Sequence, residues 1–271
     1  MDIYYENSAG TKLYLDRPPY NMLSSTSLFD YEWQEGSDPR TSPRRASSVR
    51  EISLVITGTD QEDYSDNLDG LLETIETDAM NGVYGRLYVG DWYLTCYMSK
   101  NVKGTKYINV KQSMVTLTVM PEGRGWIRAS LFQFRHSGQQ ADEPGLGYPY
   151  DYPYDYRRVA GYDSELTNED ALSDSDFTMT IYGPAMEPEI SIGDALYCLH
   201  CEVPAGERAV IDSMSRRIIL TGSGNAVNIF RFRDSSRIFD RIPPGQLPVY
   251  WNGAYDFDLM LYDERGEPAW T

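Results

Sequence analysis

Cysteine, histidine and lysine are scarce in this chain, and each scarcity removes a class of function. Three cysteines, Cys96, Cys198 and Cys201, are too few for a disulfide framework in 271 residues and fit a protein assembled in a reducing cytosol. Two histidines, His136 and His200, give a catalytic triad little to draw on. No GxSxG, HExxH or phosphate-cradling loop is present, and Gly222-Ser223-Gly224 reads as a turn because no helix follows it. The 41 acidic residues could hide a glycosidase pair anywhere, so their number argues for nothing. No enzyme, no catalytic residue and no cofactor is expected. The N-terminal residues lack the basic and apolar regions of a signal peptide, and no stretch approaches the ~20 apolar residues of a membrane span. A soluble protein without a membrane partner is expected.

What is present points to β structure. Tyrosine is abundant, 22 against 8 phenylalanines, and suits half-buried sheets and surfaces that meet partners. Fifteen prolines and 22 glycines break the chain often, which favours many short strands. The net charge is -17 and uneven: residues 1–138 hold 14 basic and 18 acidic residues, residues 139–271 hold 10 arginines, no lysine and 23 acids. Such acidity argues against specific nucleic-acid binding, which needs cations to displace phosphate counterions.

The length fits two domains. Ile3 and Tyr5, then Leu13 and Leu15, mark a strand pair across the turn at Ser8-Ala9-Gly10. The polar residues 34–50 read as a loop, and Ile52, Leu54 and Ile56 as the inward side of a strand. The only clear helix carries Leu68, Leu71, Leu72, Ile75 and Ala79 on one stripe, with Ser65 as its predicted N-cap and Gly82 as its stop. Trp92, Leu94, Cys96 and Met98 alternate along the first strand of a long hairpin. Its return strand carries Ile108 and Val110 on one parity and Val115, Leu117 and Val119 on the other, which predicts a bulge or a strand that passes between two packing partners. Trp126 to Phe134 closes this domain, predicted as 1–138.

Residues 139–175 read as an acidic linker, whose GYPYDYPYDYRR stretch is better suited to an extended docked strap than to a sheet strand. Residues 176–271 read as a β-sandwich. Phe177, Met179 and Ile181 alternate, and further strands are predicted at Leu199–Val203, Val210–Ile211, Ile218–Leu220, Val227–Phe232, Val249–Trp251 and Phe257–Leu261, separated by turn residues.

Two constellations stand out. Cys198-Leu199-His200-Cys201 has CxxC spacing, but a zinc site needs four ligands, and no second pair follows. On a strand, residues three apart also face opposite ways, so packing is the expected role and no metal is assigned. The second is a charge pattern. No lysine or arginine occurs in residues 52–83, while Asp69, Glu73 and Glu76 are among the acids that line the helix. Four of the five lysines, Lys100, Lys103, Lys106 and Lys111, sit on the next hairpin. Opposite patches on separate elements are what a head-to-tail ring uses, although ordinary solvated charge explains them equally well.

The opening IYYENSAGTKLYLDRPPYNMLSS, the DWYLTCYMSK hairpin, the PYDYPYDY strap, DFTMTIYGPAMEPEISIGD and the closing IPPGQLPVYWNGAYDFDLMLYDERGEPAW together resemble siphophage distal tail proteins over nearly the whole chain. The resemblance implies a mainly β architecture: an N-terminal β-rich domain with one helix and a long protruding hairpin, then a galectin-like β-sandwich. It also implies a six-fold homo-oligomeric ring at the phage tail tip, assembled in the bacterial cytoplasm, joining the tail tube protein to the tail-associated hub protein. Some relatives hold receptor-binding proteins. A competing reading is a carbohydrate-binding adhesin of a phage baseplate, with Trp251 as the candidate glycan contact.

Overall fold

The computed structural model describes residues 2–24, 26–34, 44–45, 48–104, 111–123, 125–135, 162–222, 224 and 226–268. They form a mainly β protein with one α-helix among the described residues, and no helix there is long and apolar enough to cross a membrane. The chain divides into two compact units, Met1–Arg128 with Glu264–Thr271, and Ala129–Asp263.

In the first unit, Ile3–Glu6 pairs antiparallel with both Lys12–Tyr14 and Gly85–Val89. Gly85–Val89 in turn pairs with Trp92–Lys103, the first strand of the long hairpin. The hairpin returns as Gln112–Pro121, which pairs with Arg50–Thr57. Alternation dictates which side chains go inward. Ile52, Leu54 and Ile56, then Trp92, Leu94, Cys96 and Met98, then Val115, Leu117 and Val119, are all buried, as the sequence pattern predicts. The hairpin does hold a bulge, but not where the parity switch places it: the extra residue is Ser99 of the first hairpin strand, between the pairs Thr118/Lys100 and Val119/Met98, while Ile108 and Val110 lie outside the described residues. Arg50, the last residue of the predicted 34–50 loop, instead opens the strand; it is buried and donates to the Leu28 carbonyl at 2.8 Å. Most of that loop, and the hairpin tip at 105–110, lie outside the described residues.

The helix, Gln61–Asn81, packs its Leu71 and Ile75 into this core, and Gly82 ends it in the left-handed conformation at φ 64°. Its start differs from the expectation. Asp60, not Ser65, is the N-cap: its backbone is extended and its carboxylate accepts from the Asp63 amide at 3.0 Å. Ser65 lies inside the helix, with its hydroxyl bonded back to the Gln61 carbonyl. The extra first turn is held by Tyr64, buried and hydrogen-bonded to Ser113 at 2.7 Å.

The second unit stacks two sheets around one core. One sheet runs Ala226–Asn228, Arg217–Thr221, Arg208–Asp212, Asp176–Tyr182, Phe257–Arg265; the other runs Tyr162–Asn168, Gly245–Trp251, Glu189–Ile192, Ala195–Cys198. Phe177, Met179, Ile211 and Leu259 from the first meet Leu166, Ile190, Tyr197 and Val249 from the second. Tyr162–Asn168 falls within the stretch read as linker. It is a strand in seven-residue register with Gly245–Trp251, although Leu166 is the one buried apolar residue among its described side chains. The predicted Leu199–Val203 strand is broken: Ala195–Cys198 and Glu202–Val203 belong to different sheets. The strap at 147–158 lies outside the described residues.

Candidate assembly surfaces

The helix presents an acidic outer face. Asp66, Asp69, Glu73 and Glu76 are exposed, and its last turn holds no basic residue. Not every acid of the helix belongs to that face. Asp78 is wholly buried, accepting from the Tyr5 hydroxyl and from the Ser8 amide, the latter at 2.8 Å. A Cβ at Gly85 would fall 2.5 Å from both the Asp78 carboxylate and the Tyr5 oxygen, so this junction requires glycine. Asp63 accepts from the Thr59 amide at 2.6 Å and from its hydroxyl, which holds its carboxyl below the ordinary range.

The hairpin lysines do not act as one group. Lys100 and Lys103 are exposed, Lys106 lies outside the described residues, and Lys111 donates to the Thr59 carbonyl at 2.7 Å, beside its own helix's start.

Local pattern reading misses a third surface. Tyr14, Tyr4, Tyr88 and Tyr93 stand directly opposite one another across four consecutive strands. Tyr4 and Tyr88 stack at 4.6 Å between centroids, and Tyr14 and Tyr93 flank them at 5.4 and 5.8 Å. Cations border the row: Lys12 lies 4.9 Å from the Tyr4 ring, Arg17 4.2 Å from Tyr14 and Arg86 4.9 Å from Tyr93. Every member is half-buried or exposed. The signal in the sequence is the tyrosine alternation in IYYE and GRLYV, but only the pairing of distant strands turns it into a row.

In the second unit Trp251 is not at the surface. It is 5% exposed, edge-on to Phe134 and Phe257, with its indole N–H donating to the Tyr255 carbonyl at 3.1 Å. Strand alternation turns its neighbour Tyr250 outward instead. This corrects the candidate glycan contact: a side chain spent on the core cannot stack on a sugar. Cys198 is buried, and Cys201 is half-buried and packs against the core that holds Trp251. Burial raises both thiol pKa values. His200 faces Asp234 at 3.1 Å on the exposed side. The described residues hold no group of three or more His, Cys, Asp or Glu placed to bind a metal.

No protein-family model and no curated protein matches the chain by sequence. Solved structures do match its fold. The Dit (gp 19.1) protein of phage SPP1, described as a paradigm of the hub adsorption apparatus in phages infecting Gram-positive bacteria, superposes with a TM-score of 0.57 at 9% identity. The match covers 97% of this chain and 98% of that one. A chain of the phage P2 baseplate in its activated conformation, solved with calcium, gives 0.58 at 11% identity, covering 98% and 99%, and the strontium form gives the same values. The fold is that of phage hub and baseplate proteins. It agrees with the resemblance to siphophage distal tail proteins, and the agreement spans both units.

Proposed function

We propose that this chain is a structural subunit of a phage tail tip, a hub on which the adsorption apparatus is built. One observation carries the reading: the fold likeness to the SPP1 hub protein runs end to end in both chains. A shared isolated domain would cover one unit and leave the other unmatched, and fold alone would then say little about role.

In this reading the subunit assembles as a six-fold ring between the tail tube protein and the tail-associated hub protein. The first unit builds the ring, and the second, a galectin-like sandwich, serves as a platform for receptor-binding proteins. Asp69, Glu73 and Glu76 of one subunit face the hairpin of the next, with Lys100, Lys103 and Lys106 as its cations and Lys111 held within its own chain by Thr59. The adhesin alternative loses its named residue with the burial of Trp251.

Electron microscopy of the purified chain, with light scattering on a size-exclusion column, tests the proposal. Rings of six copies are expected. A single species near the 30.9 kDa of one chain at every concentration would remove the ring.

A further inference from the structure

The two contrasting surfaces of the first unit lie on opposite sides of one sheet. Tyr5, Leu13, Leu87 and Leu94 point to the side on which the helix packs, where Tyr5 reaches Asp78. Their neighbours in register, Tyr4, Tyr14, Tyr88 and Tyr93, therefore point away from it. Beyond the helix stand carboxylates, which accept hydrogen bonds and cannot donate. On the tyrosine side stand phenolic O–H groups and cations interleaved with carboxylates: Glu6 stands opposite both Lys12 and Arg86, 4.0 Å from the Lys12 amine, and Asp2 and Asp16 hold Arg17. The hydroxyls of Tyr4, Tyr14 and Tyr88 make no hydrogen bond among the described residues. Arg86 and Thr95 form the next row, and the bulge at Ser99 brings Lys100, opposite Thr118, onto the same face.

We infer that the tyrosine row seats the acidic helix face of a second copy of this chain. The proposal rests on the ring reading and names the contact within it. Three features select that occupant. The faces are complementary in hydrogen bonding, the phenolic donors of Tyr4, Tyr14 and Tyr88 against the exposed carboxylates of Asp69, Glu73 and Glu76. They are presented in opposite directions, so each copy can use one toward each neighbour, the heterologous arrangement that closes into rings. The row also has the composition of binding hot spots, in which tyrosine and arginine dominate because rigid rings bury area at low entropic cost. Arg17 contributes little, since Asp2 holds it at 2.6 Å and Asp16 at 3.1 Å.

The test uses the full chain in a Cys201→Ser background. Tyr88→Cys and Glu73→Cys proteins are mixed, allowed to assemble, oxidised mildly and compared with each alone. Disulfide-linked dimer is expected in the mixture and not in either separate sample. A second arm places Arg86→Glu with Tyr88→Glu, checked for an unchanged thermal transition. Assembly should weaken about tenfold or more, the scale on which losing one hot-spot residue acts. Cross-linking of Tyr88→Cys protein with itself would show a back-to-back contact and overturn the proposal. Wild-type rings that form no mixed cross-link and tolerate the double reversal would overturn it too, leaving the ring reading intact. A monomeric wild type would remove both.

Discussion

The Tyr5 hydroxyl donates to a carboxylate oxygen of Asp78, tying the first strand to the last turn of the helix inside the core. Desolvation and this bond hold the phenol protonated well above its ordinary range. Tyr5→Phe keeps the ring and removes the donor, leaving a buried carboxylate short of one partner. A loss of about 1–3 kcal/mol is expected, more if the charge cannot find water. Urea denaturation of the two proteins checks it, and equal midpoints would show that the bond contributes nothing net.

Helix capping separates two residues that the sequence makes hard to tell apart. Asp60→Ala should cost about 1 kcal/mol, because the Asp63 amide loses its acceptor. Ser65→Ala should be neutral or slightly stabilising, since alanine is the better helix former and no cap is lost. Asp63 adds a pH dependence. Its folded pKa lies below the ordinary 3.8, so its contribution is present above that value and disappears as pH falls through the folded one. Melting curves from pH 2 to 6 should therefore fall less steeply in Asp63→Asn than in the wild type.

Trp251→Ala should behave as a core deletion. A loss of about 3–5 kcal/mol is expected, seen as a lowered melting transition. A glycan-binding signal abolished without loss of stability would contradict the packing against Phe134 and Phe257.

The thiols should differ in reactivity. Burial pushes Cys96 up to about 12, so it stays protonated at neutral pH and should react with a disulfide reagent only on unfolding. Cys201, half-buried, should react first. Replacing Cys198 and Cys201 by valine or serine should leave the purified protein's metal content unchanged, which elemental analysis measures. Stoichiometric zinc lost in the double variant would restore the metal reading.

Exposed ion pairs are worth only about 0–1 kcal/mol each, so Lys103→Glu alone should leave assembly unaffected. Reversing Lys100, Lys103 and Lys106 together should impair it, because a closed ring repeats the repulsion at every contact. Rescue by reversing Asp69, Glu73 and Glu76 to lysine would identify the partner face. Lys111 is best left in place, since its bond to Thr59 is internal.

Where burial follows a local period, the sequence was sufficient. The Ile52–Ile56 strand, the Trp92–Met98 strand and the Leu71–Ile75 stripe alternate or recur within a few residues, and each is buried as its period requires. The N-cap was harder, because Asp60 and Ser65 are both good caps and what decides between them is Tyr64 docking on Ser113, a contact 49 residues away. Tyr162–Asn168 was illegible for another reason: a single apolar side chain suffices when the partner strand supplies the register. The tyrosine row shows the same limit more sharply. Tyr4 meets Tyr88 only because the first strand pairs with one more than 80 residues on, and no window of sequence contains both.

The membership of Glu264–Thr271 in the first unit gives the chain an order of manufacture. Gly266 packs close to Tyr31, and the Arg265 guanidinium lies 5.2 Å from the Trp92 ring, so these two residues are part of that unit's packing. During synthesis the ribosome delivers Ala129–Asp263 before the pieces that complete the unit begun at the N-terminus. The second unit is, in effect, cargo carried in a loop of the first. Its host cannot complete its own packing until the whole of that cargo has been made, because Arg265 ends the sandwich's strand that begins at Phe257 and Gly266 follows it.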